Sequence, residues 1–89
     1  EVFALVLYYR QGSNAAERAK AAAWTRALID AALACGGRYY LPYQIHASRE
    51  QLLAAYPRAP EFFALKQRFD PGYKFRNALW DAYYPATRP

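Results

Sequence analysis

Polar and apolar positions divide the chain into a few segments of distinct period. Residues 2–9 form an unbroken apolar run with β-branched and aromatic members, the pattern of a strand buried on at least one face. A lone strand leaves a row of backbone N–H and C=O groups unpaired, so this one is expected to pair with a second strand or with a sheet outside the chain. Gln11, Gly12 and Ser13 turn the chain. Asn14 followed by Glu17 has capping-box spacing, and the alanine-dense stretch after it predicts a helix running to about Ala34. Ala21, Trp24, Leu28, Ala31 and Cys35 recur at three- and four-residue steps and are expected to form its packed face, with Arg18, Lys20, Arg26 and Asp30 toward water. Gly36 and Gly37 end the helix, and an extended segment from Arg38 to Leu41 leads into Pro42.

From residue 48 the texture changes to short helices parted by prolines. Ser48 and Gln51 stand at capping-box spacing ahead of Leu52, Leu53 and Tyr56, and Pro57 and Pro60 stop this element. Pro60 suits the first turn of the next helix, where Phe62, Leu65, Lys66 and Phe69 lie at helical steps and the lysine stem can cover apolar surface. Asp70-Pro71-Gly72 is a turn signal. Phe75, Leu79 and Trp80 suit a short closing helix, and residues 85–89 read as a frayed end.

Composition narrows the classes. With 89 residues the chain is one domain at most, and 55% hydrophobic with 18% aromatic residues is too rich for a disordered tail. No apolar run approaches the roughly 18 to 20 residues of a membrane span. The lack of methionine and the opening Glu1 read as an excised piece of a longer chain. A single cysteine excludes an internal disulfide, and Cys35 with His46 cannot complete a four-ligand metal site, so no metal is expected and a reducing, cytoplasmic setting fits. Cys35 is expected to be an inert, buried thiol. The net charge of +5 permits a polyanion partner without requiring one.

Nucleophile elbow, phosphate-binding glycine loop, HExxH and paired cysteines are all missing. The most unusual segment is 38–44, where Tyr39, Tyr40 and Tyr43 surround Pro42, with Arg38 and Gln44 at the ends. Tyrosines offer π faces and hydroxyls together, which suits a flat, electron-poor ring with polar edges; packing in a core is the competing role. His46, in the same proline-bounded loop, is the one candidate proton acceptor, against a structural, hydrogen-bonded role.

The order Tyr40-Leu41-Pro42, Glu50, Phe62-Phe63, Lys66, Phe69-Asp70-Pro71 and Phe75-Arg76-Asn77 resembles the carboxyl end of FAD-linked oxidoreductases of the vanillyl-alcohol oxidase type, with cytokinin dehydrogenases most similar around Tyr40-Leu41-Pro42. The similarity spans about residues 36–80. It implies that Tyr40, Leu41, Pro42, Tyr43 and Gln44 border the flavin or substrate, and that Arg76 and Asn77 lie at the pocket rim. Arg76-Asn77-Ala78 stands where the plant enzymes carry serine-proline-glycine, which weakens the flavin contact there. The resemblance further implies an α+β fold, mostly helical, with one or two strands belonging to a cap-domain sheet. Residues 1–37 would be the strand and helix of that cap, and residues 38–89 the flavin-proximal segment and closing helices. FAD in the full-length protein, a small-molecule substrate and the remaining FAD-binding domain of the same polypeptide are the implied partners.

Two other classes compete with this expectation. A small basic nucleic-acid-binding module would stack bases on tyrosines, but the twelve Lys and Arg are spread through every element instead of forming one patch. A protein-interaction module would use exposed tyrosines and Trp80 as anchors.

Overall fold

The computed structural model describes residues 1–42 and 44–84. Four helices occur among the described residues: α1 (Ala15–Ala34), α2 (Arg49–Ala55), α3 (Ala59–Phe69) and α4 (Ala78–Tyr83). Each start has a local cause. Asn14 accepts from the Glu17 N–H at 2.8 Å to open α1, and Asn77 accepts from the Trp80 N–H at 2.9 Å to open α4. Ser48 and Gln51 form a reciprocal capping box on α2, with bonds of 3.1 and 3.0 Å. Pro60 sits in the first turn of α3, where a missing N–H costs nothing. At the end of α1, Gly36 takes φ 77°, and the N–H groups of Gly36 and Gly37 bond the carbonyls of Leu33 and Ala32 at 3.0 and 2.7 Å, the two bonds of a Schellman motif.

α1 packs on α2 and α2 on α3. The core comprises Ile29, Ala47, Leu52, Ala59, Phe63, Tyr73, Tyr83 and Tyr84, edged by half-buried Leu33, Tyr39, Leu41, Tyr56, Leu79 and Trp80. Much of it is aromatic: Tyr73 and Tyr84 stack at 5.2 Å and 7°, and Trp80 meets Tyr84 edge-on at 5.6 Å. Tyr73 itself takes φ 51°, held between the Tyr84 ring and a 2.9 Å bond from its hydroxyl to Asp81.

The sheet expected from the sequence is not formed, and the α+β assignment is corrected to all-α among the described residues. Residues 2–9 have no backbone partner there, and their larger apolar side chains stand in water, Val2 at 94% and Tyr8 at 96% exposed. A strand exists only with a ladder beside it, and a non-local partner cannot be read from one apolar run. Tyr9 meets α1 edge-on to Trp24 at 4.8 Å. The radius of gyration, 14.9 Å, exceeds the roughly 12 Å of a compact chain this long, as an undocked arm requires.

The packed face of α1 also differs from expectation. Ala21 and Ile29 are buried with Thr25 and Leu33 half-buried, whereas Leu28, Ala31 and Cys35 are exposed. Alanines on all sides give the helix little directional preference, so docking against α2 chooses the face. Cys35 is correspondingly an exposed thiol and not a buried one. In α3 the inward residues are Ala59, Phe63 and Lys66, while Phe62, Leu65 and Phe69 face out. The expected fraying of residues 85–89 falls outside the described residues.

Candidate functional site

The loop between α1 and α2 holds most of the candidate residues, and three attachments fix it. The Tyr56 hydroxyl donates to the Tyr39 carbonyl, and the two rings meet edge-on at 5.7 Å. Arg26 Nη1 on α1 donates to the His46 carbonyl at 3.1 Å. The Tyr83 hydroxyl on α4 donates to the Ala47 carbonyl at 2.6 Å. Adjacent residues of an extended segment point to opposite sides, so anchoring Tyr39 inward leaves Tyr40 outward, 65% exposed. Leu41 turns back to edge the core, and Pro42 and Gln44 lie at the surface. Tyr43 lies outside the described residues.

Tyr39 is the electrostatic anchor of the loop. Burial, and then the repulsion an ionised Tyr39 would meet from Tyr83 and Tyr56, pushes its pKa up to about 12. Its hydroxyl is buried without a well-formed hydrogen bond. Burial also raises Tyr56, against an opposing pull from Arg38, and raises Tyr83. All three therefore stay neutral at physiological pH.

His46 is half-buried, with Nε2 3.0 Å from Gln44 Oε1. An amide oxygen only accepts, so in this contact Nε2 is the donor. The Gln44 amide thereby orients His46, a pairing the sequence offered only as two polar residues two apart.

Arg76 and Asn77 are engaged elsewhere. Arg76 Nη2 and Nε bond Asp81 Oδ1 at 2.8 and 3.1 Å, with the guanidinium over Tyr73 at 4.9 Å, and Asn77 caps α4. Neither has a hydrogen bond, ion pair or ring contact to residues 40–46 among the described residues.

Asp70, Lys66 and Gln51 make contacts beyond the turn, apolar-cover and capping roles read from the sequence. Asp70 accepts from Lys66 Nζ at 2.5 Å and from the N–H groups of Lys74 and Phe75 at 2.8 and 3.0 Å. The Lys66 bond first, then the backbone donors, hold its carboxyl down to about 2. The lysine head also reaches the Phe75 carbonyl at 2.6 Å and sits over the Tyr73 and Trp80 rings at 5.2 and 5.1 Å. Gln51 donates to the Arg26 carbonyl and to Asp30, tying α2 to α1 beneath the loop. The aspartate was legible as a turn former and the lysine as an apolar cover, but their union depends on the turn closing.

No His, Cys, Asp or Glu cluster able to hold a metal ion occurs among the described residues, and no helix there is long and apolar enough to cross a membrane. Comparison with family models, curated proteins and solved structures gives no match.

Proposed function

We propose that this chain is the flavin-facing carboxyl-terminal part of a cytoplasmic FAD-dependent oxidoreductase that removes hydride from an alcohol or amine carbon. The observation that carries the reading is the division of labour in Tyr39 and Tyr40: one is locked into the core while the next presents its ring outward, just before Pro42. The donor set suits a flavin edge at Tyr40, Pro42 and Gln44, where an aromatic face, a rigid wall and an amide are all at the surface. It does not extend to Arg76 and Asn77, whose polar groups are already committed to Asp81 and α4. When bound, an isoalloxazine supplies the electron-accepting chemistry.

In this scheme Tyr40 packs beside the ring or substrate, Leu41 and Pro42 shape the wall, and Tyr43 or Gln44 supplies hydrogen bonds. His46 is oriented by Gln44 so that Nδ1 accepts a substrate proton. The remaining FAD-binding domain contributes the contacts that hold the cofactor, so the isolated chain is inactive. The exposed apolar residues of segment 2–9 support such a companion, since a free-standing chain rarely leaves so much apolar surface in water.

The visible spectrum of the full-length protein tests the proposal. A yellow two-band flavin spectrum that bleaches with dithionite is expected, and a colourless protein rejects it. In the same protein Tyr40→Ala should weaken flavin retention or turnover more than Tyr8→Ala. Equal effects would remove the special role of the loop.

A further inference from the structure

Beside the loop, the surface is hollowed into a groove of about 280 Å³, bordered by Leu41, Leu52, Tyr56, Pro57, Phe62 and Leu79. Among the described residues the charged ones that border it are two arginines, Arg38 and Arg58. The Arg38 guanidinium lies 5.7 Å from the Tyr56 ring centroid, and Arg58 borders the groove from the start of α3. Arg58 pairs with Glu61 through Nε at 2.9 Å on open surface. Exposed pairs of this kind are weak and yield readily to a better-placed carboxylate.

Apolar walls with a few convergent polar groups are the usual chemistry of a small-molecule site, and the volume lies near the lower end of the roughly 300 to 1,000 Å³ such sites span. Guanidinium groups hold carboxylates by paired, charge-assisted bonds that a neutral ligand cannot make. We propose that this groove binds a small aryl- or alkyl-substituted carboxylic acid, its apolar body against Leu41, Leu52 and Leu79 and its carboxylate between Arg38 and Arg58. The groove shares Leu41 with the wall proposed for the flavin but involves none of Tyr40, Gln44 or His46, and it is tested without the cofactor.

Titration of the 89-residue chain with 4-phenylbutyrate and, separately, with the neutral 4-phenylbutanamide tests it, with leucine methyl signals followed by NMR. Saturable shifts are expected at Leu41, Leu52 and Leu79, with the acid binding about tenfold more tightly than the amide, the ratio one good charged contact confers. Arg38→Gln and Arg58→Gln, both at exposed positions, should each erase most of that preference while leaving the amide's affinity unchanged. Equal affinity for acid and amide, shifts confined to other residues, or indifference to both substitutions overturns the proposal. Absence of saturable binding at millimolar ligand overturns it as well, and leaves the groove as a surface covered by protein.

Discussion

Tyr39 and Asp70 show how a single side chain sets the chemistry of its surroundings. Asp70 has a pKa lowered from 3.8 to about 2, so its ionised form stabilises the fold fully above about pH 4, and the contribution is lost as pH falls through 2. The urea midpoints of the chain and of Asp70→Asn should therefore stand well apart at neutral pH and converge as the solution is acidified across that window. A constant gap would show that the carboxylate acts through geometry and not charge. Tyr39 behaves in the opposite sense. Its proton is held more tightly in the fold, so its contribution is complete below about pH 10 and is lost as pH rises through about 12. An alkaline titration of tyrosinate absorbance should contain a late component that disappears in Tyr39→Phe. At this scale the sequence made the tyrosine-rich segment conspicuous but left open which tyrosine turns inward, since that choice is made by Tyr56, seventeen residues away in the chain.

Helices were legible where their signals are local. The Ser48 capping box, the Gly36 stop and the proline at the start of α3 involve residues within a turn of one another and form as their spacing implies, while Asn14 caps α1 through its own side chain. Which side of α1 is buried was not legible, because alanine packs equally well on any side. Ile29→Ala should cost about 2 to 5 kcal/mol in a denaturant titration, whereas exposed Leu28→Ala should cost less than about 1 kcal/mol. The reverse order would restore the face implied by the three- and four-residue spacing. Between α1 and α2 the tie is polar. Ser48→Ala removes one cap bond, at about 1 kcal/mol. Gln51→Leu strips the Ser48 N–H, the Arg26 carbonyl and Asp30 of a partner together, and should cost more, about 1 to 3 kcal/mol.

For the molecule as a whole, the decisive feature is the contrast between a helical body and a largely exposed apolar arm. The arm's composition was plain in the sequence, but its pairing was not, because strand pairing is a property of two segments and only one is present. Replacing Leu5 and Leu7 with lysine should raise the solubility of the isolated chain without shifting its denaturation midpoint, as sedimentation and circular dichroism would reveal. A lowered midpoint would mean that the arm docks after all. The candidate loop was legible as a composition, while the groove beside it was hidden because its walls come from α2, α3, α4 and the segment before Pro42. The Lys66 head, enclosed by Asp70, the Phe75 carbonyl and two aromatic rings, makes the carboxyl-terminal turn self-reporting. Amine reagents should modify exposed Lys20 and Lys74 well before Lys66. The moment at which Lys66 becomes reactive during gradual denaturation would time the opening of that turn without any added probe.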